Sequence, residues 1–225
     1  MREVVVINGA RTAIGNFGGS LKDVSAIELG ATVLKKTLKR AGVHPVKGDF
    51  YHTAPDKIKN SGLTQFEAKY QDWDNFSIPV TIDEVIMGNV LQASLGQNPA
   101  RQAMMRAGIC KETPAFTINK VCGSGLKAIA LGAASIMAGH ADVVLAGGQE
   151  NMSQVPMALP KARWGHRMEL TGTGDIYDLM VFDGLYEIFY GYHMGTTAEN
   201  IAALYDISRK EQDELGEIGR ASCRE

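Results

Sequence analysis

The chain has 225 residues, 45% of them hydrophobic and 21% charged, with a formal net charge of −2. That is enough for one large domain or two small ones around a sizeable core, and too little positive charge to draw in nucleic acid or an anionic membrane. No uninterrupted apolar stretch approaches the ~20 residues that span a bilayer, and Cys110, Cys122 and Cys223 form neither a disulfide framework nor a zinc pattern.

The chain runs from Met1 straight into an apolar, β-branched run without a leader-like h-region, so the expected location is the cytoplasm. That run, residues 4–7, is bounded by Asn8-Gly9 and reads as a buried strand. Ala26, Gly30, Val33, Leu34, Thr37, Leu38 and Ala41 follow at helical spacing, with Gly42 where a C-terminal cap belongs. A strand is predicted at 82–90. Asn98 and Pro99 supply an N-cap and a first-turn proline for a short helix at 98–108.

A third strand is predicted at 115–121. Leu126, Ile129, Ala130, Ala133 and Met137 mark a helix ending at Gly139, and residues 142–146 read as a strand buried on both faces. Strands alternating with helices predict an α/β fold with mostly parallel pairing. Beyond Ser153 the prolines, glycines and scattered aromatics predict a loop-rich segment. A helix returns near 197–204, and Ser208 with Glu211 forms a capping box for another.

Residues 44–81 separate a helix from its following strand by far more than the usual connection of about 2–6 residues. They read as an insertion, a surface excursion without a catalytic role, anchored by Trp73 and Phe76. At the other end, Ile218-Gly219-Arg220-Ala221-Ser222-Cys223-Arg224-Glu225 interrupts a helix barely begun and reads as a non-native tail.

Cys122 stands at a predicted strand end, immediately before Gly123-Ser124-Gly125 and an apolar helix. From spacing, two readings are open. It is a small buried hydrophobe at a strand–helix junction, or a thiol whose thiolate is favoured by free N–H groups and the helix dipole. In the second reading the glycines let a substrate carbonyl approach backbone donors.

The residues around it decide between these by resemblance. Asn119-Lys120-Val121-Cys122-Gly123-Ser124-Gly125-Leu126-Lys127 resembles the nucleophile motif of the biosynthetic thiolases, the acetyl-CoA acetyltransferases. Gly9-Ala10-Arg11-Thr12 with Ile14-Gly15 resembles the family's opening, and Gly88-Asn89-Val90-Leu91-Gln92 with Gly96-Gln97-Asn98-Pro99-Ala100-Arg101-Gln102 its next block. Ala146-Gly147-Gly148-Gln149-Glu150-Asn151-Met152-Ser153 and Gly191-Tyr192-His193-Met194-Gly195 complete the series in order.

The resemblance implies a thiolase-like α/β fold: an N-terminal domain at 1–155 (with the insertion 44–81), part of the family's loop domain at 156–217, and the tail 218–225. It implies a ping-pong reaction in which Cys122 takes an acyl group from acyl-CoA and passes it to acetyl-CoA, giving acetoacetyl-CoA, or to free CoA in the reverse thiolysis. Coenzyme A thioesters are then substrates, no cofactor or metal is expected, and a complete enzyme would be a homo-oligomer without nucleic-acid or membrane partners.

Leu185, His193 and Met194 match positions lining the family's acyl and pantetheine pocket, and Glu150 reads as structural, holding the loop domain against the sheet. The family's base histidine, in a Gly-His-Pro block, and its second acid/base cysteine, in a Cys-x-Gly-Gly-Gly block, do not occur in these residues. The fragment is therefore expected to be inactive alone. A longer-chain 3-ketoacyl-CoA thiolase, a β-ketoacyl synthase, and a non-catalytic thiolase-like partner or acyl-CoA-binding subunit are the competing readings.

Overall fold

The computed structural model describes residues 2–48, 55, 57, 62–74, 77–167 and 174–222, with backbone alone for 218–222. The chain divides into two compact units, Met1–Met157 and Ala158–Glu225.

In the first unit, α1 (Ala26–Ala41) starts where the Ser25 hydroxyl accepts from the Glu28 N–H and the Glu28 carboxylate accepts from the Ser25 N–H. It stops at Gly42, whose left-handed φ of 71° lets its N–H reach the Leu38 and Lys39 carbonyls. Its buried face, Ile27, Ala31, Leu34 and Leu38, joins Ala100, Ala103, Met104 and Ala107 from α3 (Pro99–Arg106) in one core. Asn98 caps α3 as expected, its side-chain oxygen accepting from the Arg101 N–H at 3.2 Å.

The sheet that carries the site has three strands in the order β4 (Ala115–Ile118), β3 (Glu84–Gly88), β5 (Val144–Gly148), all parallel. The central strand is buried almost throughout, with Val85, Ile86 and Met87 at 1% exposure or less. Parallel pairing carries the C-terminal ends of all three strands to one edge, where open α/β sheets hold their ligands.

Across this sheet lies α4 (Ser124–Met137). The residues that mark it in the sequence are not those that face the sheet: Leu126 is 75% exposed and Ile129 49%, while Ala128 and Gly132 are buried. The reason is closeness. A Cβ on Gly132 would stand 3.0 Å from Val144 Cγ1, so only small residues fit between helix and strand. The larger apolar side chains are turned outward.

One further expectation fails. Residues 4–7 form no strand, and Val5, Val6 and Ile7 are 68–86% exposed. An apolar run becomes a buried strand only beside a partner, and among the described residues none lies alongside it. The segment 44–81, expected as a surface excursion anchored by Trp73 and Phe76, carries regular elements. Its ends form β1 (Val43–Val46) and β2 (Ile78–Thr81), paired in parallel, with α2 (Gln65–Tyr70) between them.

Side chains tie this segment down as well. Buried Glu67 meets Lys111 at 3.2 Å, and the Trp73 indole donates to the Gly108 carbonyl at 2.8 Å beneath the ammonium groups of Lys35 and Lys39. Phe76, the other expected anchor, lies outside the described residues.

The second unit is built from short elements. α5 (Leu179–Gly184) leads into the antiparallel pair β6 (Tyr186–Glu187) and β7 (Tyr192–His193), followed by α6 (Met194–Leu204) and α7 (Arg209–Ser222). The Ser208–Glu211 capping box forms as expected, with Glu211 Oε2 accepting from the Ser208 N–H at 2.8 Å. Its helix is not interrupted at 218 but continues to Ser222. No helix among the described residues is long and apolar enough to cross a membrane.

Candidate functional site

At the C-terminal edge of the sheet the chain leaves β4, makes a tight turn through Asn119, Lys120 and Val121, and reaches Cys122 one residue before the Gly123 N-cap of α4. The thiol is exposed, which removes the reading of Cys122 as a buried hydrophobe. The Ser124 N–H donates to the Val121 carbonyl and no side chain caps this helix start, so the Gly125 and Leu126 donors and the positive dipole end are left to whatever binds beside the sulfur.

The turn is strained and braced. Val121 has a φ of 48°, a left-handed conformation costly for a β-branched residue. Its N–H donates to Asn119 Oδ1 at 2.8 Å. The Ser124 hydroxyl donates to the Val121 carbonyl at 2.6 Å and accepts from the Lys120 N–H at 2.8 Å. Backbone bonds from Gly123 N–H to the Lys120 carbonyl and from Ser124 N–H to the Val121 carbonyl close the turn.

Glycines let the helix start sit directly on the strand ends. A Cβ at Gly88 would lie 2.5 Å from the Ser124 carbonyl carbon, and one at Gly148 would lie 3.4 Å from the Gly125 Cα. Gly123, singled out in the sequence for clearing space around the sulfur, is less crowded, its nearest neighbour being the Lys120 carbonyl oxygen at 3.4 Å.

Glu150 follows β5 and turns back over the end of β3. It accepts from Asn89 Nδ2 at 2.6 Å, from the Val90 N–H at 2.8 Å and from the Leu91 N–H at 3.1 Å. Burial pushes its carboxyl above the ordinary range, while those three donors pull it partly back. All three donors lie within the first unit, so Glu150 fastens one strand end to another rather than the loop domain to the sheet.

Cys110 provides the contrast. It is 6% exposed, its thiol faces the Pro45 carbonyl at 3.8 Å, and burial together with nearby Glu112 raises its pKa to about 11. Cys223 and His52 lie outside the described residues. Among the described residues no group of three or more His, Cys, Asp or Glu side chains could hold a metal ion.

The other sequence-predicted site residues belong to the second unit. Leu185 is half-buried and its carbonyl accepts from the Met194 N–H at 2.8 Å, which brings these two together. His193 pairs with Tyr186 across the hairpin and caps α6, its Nδ1 accepting from the Gly195 N–H at 3.0 Å. That bond assigns the ring proton of the neutral imidazole to Nε2. Met194 lines an open groove with Thr197, Ala198, Ile201, Ile207 and Gln212.

Against known proteins, the family model described as "Thiolase, N-terminal domain" matches residues 4–67 and 76–216. This chain belongs to the thiolase family. The thiolase match passes over residues 68–75, inside the segment that stood out as an insertion, and stops short of the last residues of the chain.

Over 215 residues the chain is 49% identical to the acetyl-CoA acetyltransferase of Syntrophomonas wolfei, covering 96% of this chain and 46% of that protein. It is 48% identical to the acetyl-CoA acetyltransferase of Cupriavidus necator and 47% identical to that of Escherichia coli K12, with 45% of each relative covered. This thiolase chain thus spans about half the length of the curated relatives it matches.

Sequence reading missed three parts of the site. Ser124 and Gly88 were visible only as small residues within matching blocks. The grip of Glu150 on residues 89–91 left no trace in spacing, because it joins two strand ends 59–61 residues apart.

Proposed function

We propose that this chain carries the acyl-accepting half of an acetyl-CoA C-acetyltransferase, with Cys122 as the nucleophile. The observation that carries the reading is an exposed thiol one residue before an uncapped helix N-terminus, within a chain of the thiolase family. The thiolate attacks the thioester carbonyl of acetyl-CoA, the C–S bond to coenzyme A breaks, and CoA leaves as its thiol after taking up a proton. One thioester replaces another, so the acetyl group stays reactive for transfer. First-turn N–H groups of α4 would stabilise the oxyanion that forms on the way.

In the whole protein the acetyl group passes to the α-carbon of a second acetyl-CoA, giving acetoacetyl-CoA, or acetoacetyl-CoA is cleaved by free CoA. Leu185, His193 and Met194 line the pantetheine side. The linked backbone of Leu185 and Met194 and the apolar groove beside Met194 support that assignment. The acetyl preference is supported by the names of the relatives. Assembly into a homo-oligomer and a cytoplasmic location belong to the same proposal.

The test is to mix the chain with acetyl-CoA and follow Cys122 by peptide mass spectrometry. One acetyl group on the Cys122 peptide, with release of one CoA and none from Cys122→Ala, is the expected result. Acetylation of another residue, or none in a folded chain, would remove Cys122 from this role.

A further inference from the structure

We propose that Ser124 is a positioning residue for the Cys122 nucleophile, acting as a latch that keeps Val121 in its left-handed conformation; the proposal rests on Cys122 being the acyl acceptor. Ser124 is the first residue of α4, after the Gly123 N-cap, and its hydroxyl points back into the turn that precedes the helix. It bridges the Lys120 N–H at 2.8 Å and the Val121 carbonyl at 2.6 Å, and no side chain caps α4.

The two bonds span the residue that needs them. Val121 at φ 48° is a β-branched residue where glycine or asparagine is at ease, and such a backbone persists only when its surroundings over-determine it. Ser124 is 4% exposed and seated on the end of β3, where a Cβ on Gly88 would come within 2.8 Å of its own Cβ. The hydroxyl therefore has a fixed anchor from which to hold the turn. If Val121 relaxed to the extended region, the chain would enter Cys122 in another direction and carry the sulfur away from the helix start.

A second consequence concerns the donors. The Ser124 N–H is taken by the Val121 carbonyl, so the helix-start donors left to stabilise an oxyanion are those of Gly125 and Leu126, which no side chain caps. Ser124 thus serves the site by holding the turn, without touching substrate.

The test uses this chain in three forms: wild type, Ser124→Ala, and Ser124→Ala combined with Val121→Gly. The rate of Cys122 labelling by iodoacetamide is read across pH with peptide resolution, and circular dichroism checks the fold. Ser124→Ala should slow Cys122 labelling by roughly tenfold, as loss of the strained geometry that holds the sulfur at the helix start requires. Glycine at 121 adopts the left-handed turn unaided, so the double variant should recover most of the rate.

An unchanged rate in folded Ser124→Ala would overturn the proposal, and so would failure of the second substitution to restore it. If Ser124→Ala does not fold, the double variant decides: near-wild-type labelling supports the latch and slow labelling refutes it. Iodoacetamide reads the thiol irrespective of acetyl transfer. A wild-type chain that labels fast but takes no acetyl group would therefore sink the acyl-acceptor reading separately.

Discussion

Gly88, the last residue of the central strand, lies so close beneath the start of α4 that a Cβ on it would fall 2.6 Å from the Gly125 backbone nitrogen. The obstructing atoms are backbone, which cannot swing aside as a flexible side chain would. A Cβ on Gly125 would meet nothing nearer than the Gly147 carbonyl oxygen at 3.8 Å. Gly88→Ala should therefore destabilise the chain by about 1–3 kcal/mol through overpacking and slow Cys122 labelling. Gly125→Ala should be close to neutral, since Ala suits a helix better than Gly. Urea unfolding of the two variants checks the order, and equal midpoints would contradict it.

Glu150 accepts three hydrogen bonds from residues 89–91. Glu150→Ala leaves those donors without their acceptor and should cost about 1–3 kcal/mol. Its pH dependence has a definite sign. Burial raises the folded carboxyl above its unfolded value, so its contribution is fully present below the unfolded value and is lost as pH rises through the folded one. Chemical denaturation of wild type should show that loss with rising pH. The Glu150→Gln variant, which does not ionise, should not.

The fold was legible where local chemistry dictates it. The Ser208–Glu211 box, the Asn98 cap and the Gly42 stop each depend on residues a few positions apart, and each forms as the sequence says. It was misread where a partner decides. Residues 4–7 are apolar and β-branched yet lie exposed, and Leu126 and Ile129 mark α4 without facing its sheet. Cys122 could be found through its motif, but the brace around it could not. A left-handed valine held by a backward-facing serine breaks local preference, and nothing in composition or period announces it.

Glu67 answers for the segment 44–81. Burial opposes its ionisation, but the Thr64 N–H and hydroxyl and the Lys111 ammonium outweigh that and hold its carboxyl below the ordinary value. Stability from this group is therefore present above the unfolded value and is lost as pH falls through the folded one. Glu67→Ala should cost about 1–3 kcal/mol near neutral pH, and the gap to wild type should close in acid. A gap that persists in acid would show that packing, not charge, makes the difference.

Cys122 should react with iodoacetamide well before Cys110, and acetyl-CoA should protect it. Cys110 is buried with its thiol raised to about 11, and Lys111, its basic neighbour, is engaged by Glu67. Labelling of Cys110 should appear only as the chain is unfolded with urea. Early labelling of Cys110 with Cys122 untouched would reverse the assignment.

The last expectation is that the chain alone takes up an acetyl group but does not condense it with a second acetyl-CoA. Condensation needs a base to remove a proton from the α-carbon, and a positioned acid or base contributes about 10²–10⁴ in rate. Among the described residues no side chain hydrogen-bonds the Cys122 thiol. Within the first unit, His44 is engaged with Ser77 at 2.8 Å. His140 follows the far end of α4, 14 residues long and so about 20 Å from the helix start that presents the sulfur. In the second unit, His193 Nδ1 is occupied as the cap of α6. The ring nitrogens of His166, also in the second unit, have no hydrogen-bond partner among the described residues. Acylation needs only the exposed thiol, whereas forming a carbanion needs that base. Single-turnover assays should therefore find one acetyl group per chain, abolished by Cys122→Ala, and no acetoacetyl-CoA above the uncatalysed rate. Sustained acetoacetyl-CoA formation that depends on Cys122 would mean that one of these histidines, or a residue outside the described segments, reaches the substrate, and His44→Ala, His140→Ala, His166→Ala and His193→Ala would then identify which.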